Sequence, residues 1–460
     1  MILTGMIFAT VAFAQSPEGV DATGSNPTAD VDAALIQLSH QMAALVAKQR
    51  ELTLLEPIEV RIEDAATLRA RTLSDFEEED TQRELRELTE TYTLLRILPP
   101  DIDLGATYLD VLTDHVAGYY DPEHRHLALI RRAAAFHEAS IGALSEDAMT
   151  IAHEVVHALQ DQHFDLWALA QRTHSNDVAA ALQALIEGDA TLSMLHFGRG
   201  ADLPASAVHQ YVDEGYDLRR VPAGTPLARL PRILQAGLIF PYAEGTHFAA
   251  ALFAAGGLQA LDAAYADPPL STEQILHPER YLGAHRDPPL DVEMPDLSHA
   301  LGPGWRASFD DVVGELGTRL LLEEHLGAEH PGLRAAAEGW GGDRLAVYRQ
   351  GSDDDEDAPV AGVWATTWDS PRDAATFARV ADAWLRAIFH DYPTRRQQLV
   401  RDDRCATALR SSRTEVLILL DTPCEATSSL RRALRGLPWA PILSLDAAGE
   451  PKPRPDTPSP

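Results

Sequence analysis

The sequence predicts an α+β protein with a helical N-terminal region, a mostly helical middle carrying a short sheet, and a small antiparallel α+β domain ordered ββαββα. Three observations predict it. Apolar residues recur at helical spacing through residues 31–117, as in DVDAALIQLSHQMAALVAKQR. In the middle, one strand-like run precedes two long helical patterns. Beyond Trp340 the apolar pattern turns to paired strands around single helices.

Taken in order, the elements begin with MILTGMIFATVAFAQS, an apolar run ending in Ala12, Phe13 and Ala14, the small-x-small pattern of a cleaved signal peptide over residues 1–14. Export to a periplasmic or extracellular space is the expectation, although a positive n-region is missing. Residues 15–30 read as a polar linker. Residues 31–117 form the helical N-terminal region, read as scaffold; an inhibitory pro-segment is the sharper alternative. GYYDPEHRHLALIRR then gives a turn at Asp121 and Pro122 followed by a short strand.

The next stretch, LSEDAMTIAHEVVHALQDQHFD, is a helix with Ser145 as N-cap and Glu146 and Asp147 in the first turn, where carboxylates suit the helix dipole. Ala148, Ile151, Ala152, Val155, Val156 and Leu159 make its apolar surface. Residues four apart share a helix face, so His153 and His157 offer two ring nitrogens to one metal. Glu154 sits about 100° round from His153, placed to act as general base on a water. Zinc in a hydrolase takes a third protein ligand. His163 has the spacing of HExxHxxGxxH, but Gln160 stands where that pattern needs a helix-breaking glycine. The better candidate is Glu187 in ALQALIEGDATLSML, a second helix starting near Asn176 or Asp177 with Leu182, Leu185, Ile186, Leu192 and Leu195 as core. Ala184, Gly188 and Ala190 are small enough to let it approach the first helix closely.

His153, Glu154 and His157, followed downstream by Glu187, Gly188, Asp189 and Ala190, resemble the gluzincin branch of zinc metallopeptidases, in the thermolysin-like zincin superfamily. That group pairs HExxH with a glutamate on a following helix, often as EGxA, and the resemblance covers residues 118–196. It implies a zincin-like catalytic unit, Zn2+ as cofactor, His153, His157 and Glu187 as ligands, and Glu154 as general base. It also implies a substrate-aligning edge strand, for which residues 126–131 are the candidate. Thermolysin-like members carry an aspartate four residues after the ligand glutamate; this chain has Thr191. Asp189 or Asp161 is then the candidate to orient a ligand histidine. By analogy, Tyr242 and His247 are candidates to steady the oxyanion, with His277 behind them.

The catalytic domain is expected over residues 118–330 and the C-terminal domain over 331–447. In the latter, DRLAVYRQ and APVAGVWATTW read as strands around the acidic loop 351–359. SPRDAATFARVADAWLRAIF is a helix capped by Ser370, with Pro371 at its first position. Cys405 and Cys424, the only cysteines, bracket a hairpin turning at Ser411 to Thr414 and are expected to pair, in keeping with export. SSLRRALRGL is the last helix, and residues 448–460 a proline-rich, disordered tail.

The chain has 460 residues, 45% of them hydrophobic, ample for two or three domains with buried cores. A formal net charge of −32 argues against nucleic acid as a partner, because phosphate would be repelled. No stretch reads as a stable membrane span. The expected function is an exported zinc-dependent peptidase acting on a peptide or protein substrate. The alternatives are a zinc-holding zincin-fold binding or envelope assembly protein that cleaves nothing, and a metal-free structural protein.

Overall fold

The computed structural model describes residues 8–11, 28–98, 102–131, 146–173, 175–200, 202–218, 221, 223–283, 286–352, 358–395 and 398–443. The chain is mixed α+β, as expected. Its first half runs β1 (Phe8–Val11), α1 (Thr28–Arg50), β2 (Glu59–Asp64), α2 (Ala65–Glu77), α3 (Glu79–Leu94), α4 (Leu104–His115), β3 (Val116–Asp121), β4 (His126–Arg131) and α5 (Glu146–Phe164). Helices α6 (Leu166–Ala170), α7 (Asn176–Arg199), α8 (Ala205–Gly215), α9 (Pro226–Arg229) and α10 (Arg232–Ala266) follow. A connecting segment carries α11 (Thr272–Leu276), α12 (Pro278–Leu282), β5 (Leu290–Asp291) and α13 (Ser298–Leu301). The rest is β6 (Trp305–Asp311), α14 (Gly314–Leu326), α15 (Arg334–Ala337), β7 (Trp340–Gln350), β8 (Val360–Trp368), α16 (Pro371–Ile388), β9 (Thr394–Arg395), β10 (Gln398–Arg401), β11 (Arg404–Arg410), β12 (Glu415–Pro423), α17 (Thr427–Ala433) and β13 (Ala440–Pro441).

The first sheet has the order β1-β3-β4-β2. It corrects two expectations. The N-terminal region is not wholly helical, because β2 pairs in parallel with β4, Val60 opposite Leu127 and Ile62 opposite Leu129. Residues 126–131 are not an edge strand either, since β4 lies between β3 and β2. The strand nearer the edge on the other side is β3, and β1 lies antiparallel against it, Phe8 opposite Tyr120. That pairing draws residues 8–11 of the expected signal peptide into the sheet. Helix α1 begins at Thr28, inside the expected linker. Ser145 and the tail lie outside the described residues, as do residues 353–357 of the acidic loop.

Helices α1, α5, α7 and α10 pack with the β3–β4 sheet around one core, in which Val46, Val155, Leu159, Leu185, Phe248 and Leu252 are completely buried. Every residue from 151 to 161 is buried, so α5 is enclosed on all sides rather than half-buried. A helix so placed must pair each of its polar side chains inside the protein. Helices α7 and α10 are long and apolar enough to cross a membrane by length and composition, a finding the sequence reading did not anticipate. The α7 stretch is 89% buried within the protein and the α10 stretch 33%.

The second sheet is antiparallel, in the order β6-β7-β8-β12-β11-β10-β9. It contains the expected ββαββα order as β7, β8, α16, β11, β12 and α17, and adds β6, β9 and β10. Because β6 pairs with β7, the sheet reaches back to Trp305, well before residue 331. Helix α16 packs on one face, its start fixed by Ser370, whose hydroxyl accepts from the Asp373 N–H. Helices α13 and α17 cover the other face. Cys405 and Cys424 are joined at the open end of the β11–β12 hairpin. That bond is compatible with a secreted protein.

Candidate metal centre

Two helices deliver the site. On α5, His153 and His157 stand one turn apart with ring centroids 4.6 Å from each other. On α7, held at its start by Ser175, whose hydroxyl accepts from the Val178 N–H, Glu187 faces them. His153 Nε2 lies 3.0 Å from Glu187 Oε2, His157 Nε2 lies 3.3 Å from the same oxygen, and the two ring nitrogens are 3.0 Å apart. Glu154 is enclosed beside them, close enough for its charge to act on His157. His153 is 1% exposed and Glu154, His157 and Glu187 are 0% exposed.

Gly188 serves a different neighbour from the one expected. A Cβ on Gly188 would stand 2.0 Å from the carbonyl oxygen of Gly245, and one on Gly245 would stand 2.2 Å from that of Ala184. The two glycines let α10, not α5, press against α7. This crossing carries Tyr242 to the site, where its buried phenol hydrogen-bonds the Glu187 carboxylate and its ring centroid lies 6.3 Å from that of His153.

Burial works to raise the Glu187 carboxyl, but the charge of His157 and the hydrogen bonds of both histidines outweigh it and hold the group down at about 2. Burial depresses His153, whereas the Glu187 carboxylate, followed by Glu154, raises His157 against the same burial. Three donors about 2.0–2.2 Å from a tetrahedral zinc sit about 3.3–3.5 Å apart. The observed triangle matches that size to a few tenths of an ångström, and two imidazoles with one carboxylate are a zinc donor set. Among the described residues one other group could be read as metal ligands, Glu273, Asp287 and Asp369. Arg280 already stands among them, its Nη1 within 2.6–2.9 Å of an oxygen of each.

The other candidates fall differently. His163 is exposed on α5, 2.7 Å from the Thr53 carbonyl and out of the site. His247 faces Glu244 at 3.4 Å and the ring of His209. His277 sits 2.9 Å from Glu315. Asp161 accepts from the Tyr120 hydroxyl and the Leu166 N–H, and orients no ligand histidine. Asp189 is buried behind the site and reaches His157 through Gln160, named above only as the residue standing in place of a helix-breaking glycine. Gln160 places Oε1 2.8 Å from His157 Nδ1 and Nε2 3.0 Å from Asp189 Oδ2. Arg50, from α1, is also new: its Nε and Nη2 bond the two Asp189 oxygens at 3.0 and 3.1 Å. Tyr265 donates to Asp189 as well, at 2.9 Å.

A domain of unknown function, DUF8575, matches residues 304–430. That span is the second sheet with α14, α15 and α16, and it leaves out the centre on α5 and α7. Neither a curated protein nor a solved structure matches the chain.

Proposed function

We propose that the protein is an exported zinc-dependent peptidase of gluzincin type, with His153, His157 and Glu187 as ligands. The observation that carries this reading is the triangle of donor atoms, His153 Nε2, His157 Nε2 and Glu187 Oε2, each within 3.3 Å of the other two. Zinc bound there would supply Lewis acidity and lower the pKa of a water towards 7. Glu154, one residue along α5 from His153, takes the proton of the attacking water and passes it to the leaving amine. Tyr242 lies buried on the α10 side, near enough for the Glu187 charge to act on its phenol. The disulfide agrees with export.

The burial of all four residues favours a second reading, a zinc-holding binding or assembly protein, because structural zinc sites are closed while catalytic ones keep an open position. One experiment separates the two: zinc content by elemental analysis of wild type and Glu154→Gln, with casein cleavage on the same samples. One zinc per chain in both, with cleavage in the wild type alone, is the expected result. Zinc in both without cleavage would leave the binding protein, and no zinc after reconstitution would end both readings.

A further inference from the structure

Resting on the metal reading above, we infer that Gln160 is a positioning residue that fixes the ring tautomer of His157, so that Nε2 faces the metal with its lone pair. The argument begins with the amide. Gln160 Nε2 lies 3.0 Å from Asp189 Oδ2 and 3.1 Å from the carbonyl oxygen of Ile186. A carbonyl oxygen can only accept, and Asp189, held in a two-point bond by Arg50, is a carboxylate that also only accepts. Both neighbours on the α7 side therefore need donors, and only the NH2 end of the amide supplies them. The reverse orientation would set the amide oxygen against two acceptors in a site where Gln160 and Asp189 are 0% exposed.

With the NH2 turned to α7, the amide oxygen is turned to His157. Oε1 is 2.8 Å from Nδ1, and an amide oxygen accepts, so Nδ1 carries the hydrogen. In neutral imidazole the other nitrogen then holds the free lone pair. That nitrogen, Nε2, is the corner of the donor triangle. Other donors keep Asp189 fixed: Tyr265 at 2.9 Å, Ser193 at 3.2 Å and Arg50, itself tied to Asp262 at 2.6 Å. The chain Arg50, Asp189, Gln160, His157 thus draws on α1, α7 and α5 and passes one instruction, which nitrogen keeps its hydrogen. Metal-bound histidines are usually oriented directly by a carboxylate or carbonyl. Here an amide stands between, turning a carboxylate that wants a donor into an acceptor for the ring.

The test uses the full chain with 15N-labelled histidine, free of metal and at an alkaline pH where the ring carries a single hydrogen, and the His157 signals are assigned by their loss in His157→Ala. Long-range 15N–1H spectra are expected to show the Nδ1–H form of His157 in the wild type. Gln160→Met, which fills the space without an acceptor, is expected to give a mixture of tautomers and a zinc affinity lower by about 10- to 100-fold in chelator competition. Gln160→Glu keeps an acceptor for Nδ1, so it should hold the Nδ1–H form even where the charge beside Asp189 lowers stability. An Nε2–H form in the wild type overturns the inference, as does a Gln160→Met protein with the wild-type tautomer and zinc affinity. If the wild type binds no zinc, the metal reading falls, while the spectra of the metal-free proteins still decide what Gln160 does.

Discussion

Arg50 neutralises a carboxylate that has no access to water. Both partners of the Arg50–Asp189 pair have side chains 0% exposed, and Asp189 is held below the ordinary carboxylate range, burial opposing and the Arg50 charge prevailing. Removing one partner of such a pair costs about 3–5 kcal/mol because the other charge stays buried. Arg50→Met is expected to lower stability by that amount in urea denaturation; an unchanged midpoint would show that Asp189 does not depend on it. At the proposed ligands, Glu187→Ala is expected to abolish tight zinc binding, read by chelator competition, while Glu154→Gln leaves it in place. His153, Glu154 and His157 were legible because one helix carries them at a spacing that only makes sense on one face. Glu187 was legible as a carboxylate among small residues. Arg50 and Tyr265 were not, since they meet Asp189 from 139 and 76 residues away and nothing local marks them.

Among the elements, the crossing of α7 and α10 controls where Glu187 stands. The atom opposite Gly188 is backbone, the Gly245 carbonyl oxygen, so a methyl group there cannot be accommodated by turning a side chain. Overpacking of this kind costs about 1–3 kcal/mol or more. Gly188→Ala is expected to lower the melting temperature and weaken zinc binding together; wild-type values of both would mean the helices part without consequence. The helices themselves were legible from their period, α16 and its cap to the residue. Strand β2 was not, because EVRIED alternates charged and apolar residues on a strip that is only partly covered, and it sits between helical patterns. The enclosure of α5 was also hidden, since its pattern read as half-buried and the partners of Gln160 and Asp161, namely Asp189 and Tyr120, come from other elements.

Across the whole molecule, the two halves meet over buried carboxylates. Asp177, at the start of α7, accepts from the hydroxyl and N–H of Thr272; Asp311, at the end of β6, accepts from the Asn176 N–H. Asp343, on β7, accepts from the Val313 and Gly314 N–H groups at the start of α14. Burial raises all three, Asp177 to about 7 and Asp311 to about 6. A carboxyl whose folded value lies above its unfolded one, near 4, binds its proton more tightly in the folded state. Its contribution is therefore favourable below that value and declines as pH rises, here from about 4 to about 7. His277, raised first by its bond to Glu315, works in the same direction. The stability of the wild type relative to Asp177→Asn in urea is expected to fall from pH 5.5 to pH 8; a difference independent of pH would remove Asp177 from the effect. The sequence placed a domain boundary at residue 331 because the strand pattern becomes plain only at Trp340, while β6, with two acidic residues at its end, merges with the helices before it.

The N-terminal helices were read as scaffold or as a segment to be cut away. Their contacts argue for the first. Helix α1 supplies Arg50 to Asp189, behind the candidate metal centre, and β2 is a strand of the sheet on which α5 rests. A peptidase that matured by losing these residues would expose its own Asp189 to an apolar interior with no countercharge. A shortened chain that keeps the Arg50–Asp189 pair would have to retain Arg50, either uncut or held to the rest as one piece of a nicked, two-chain protein.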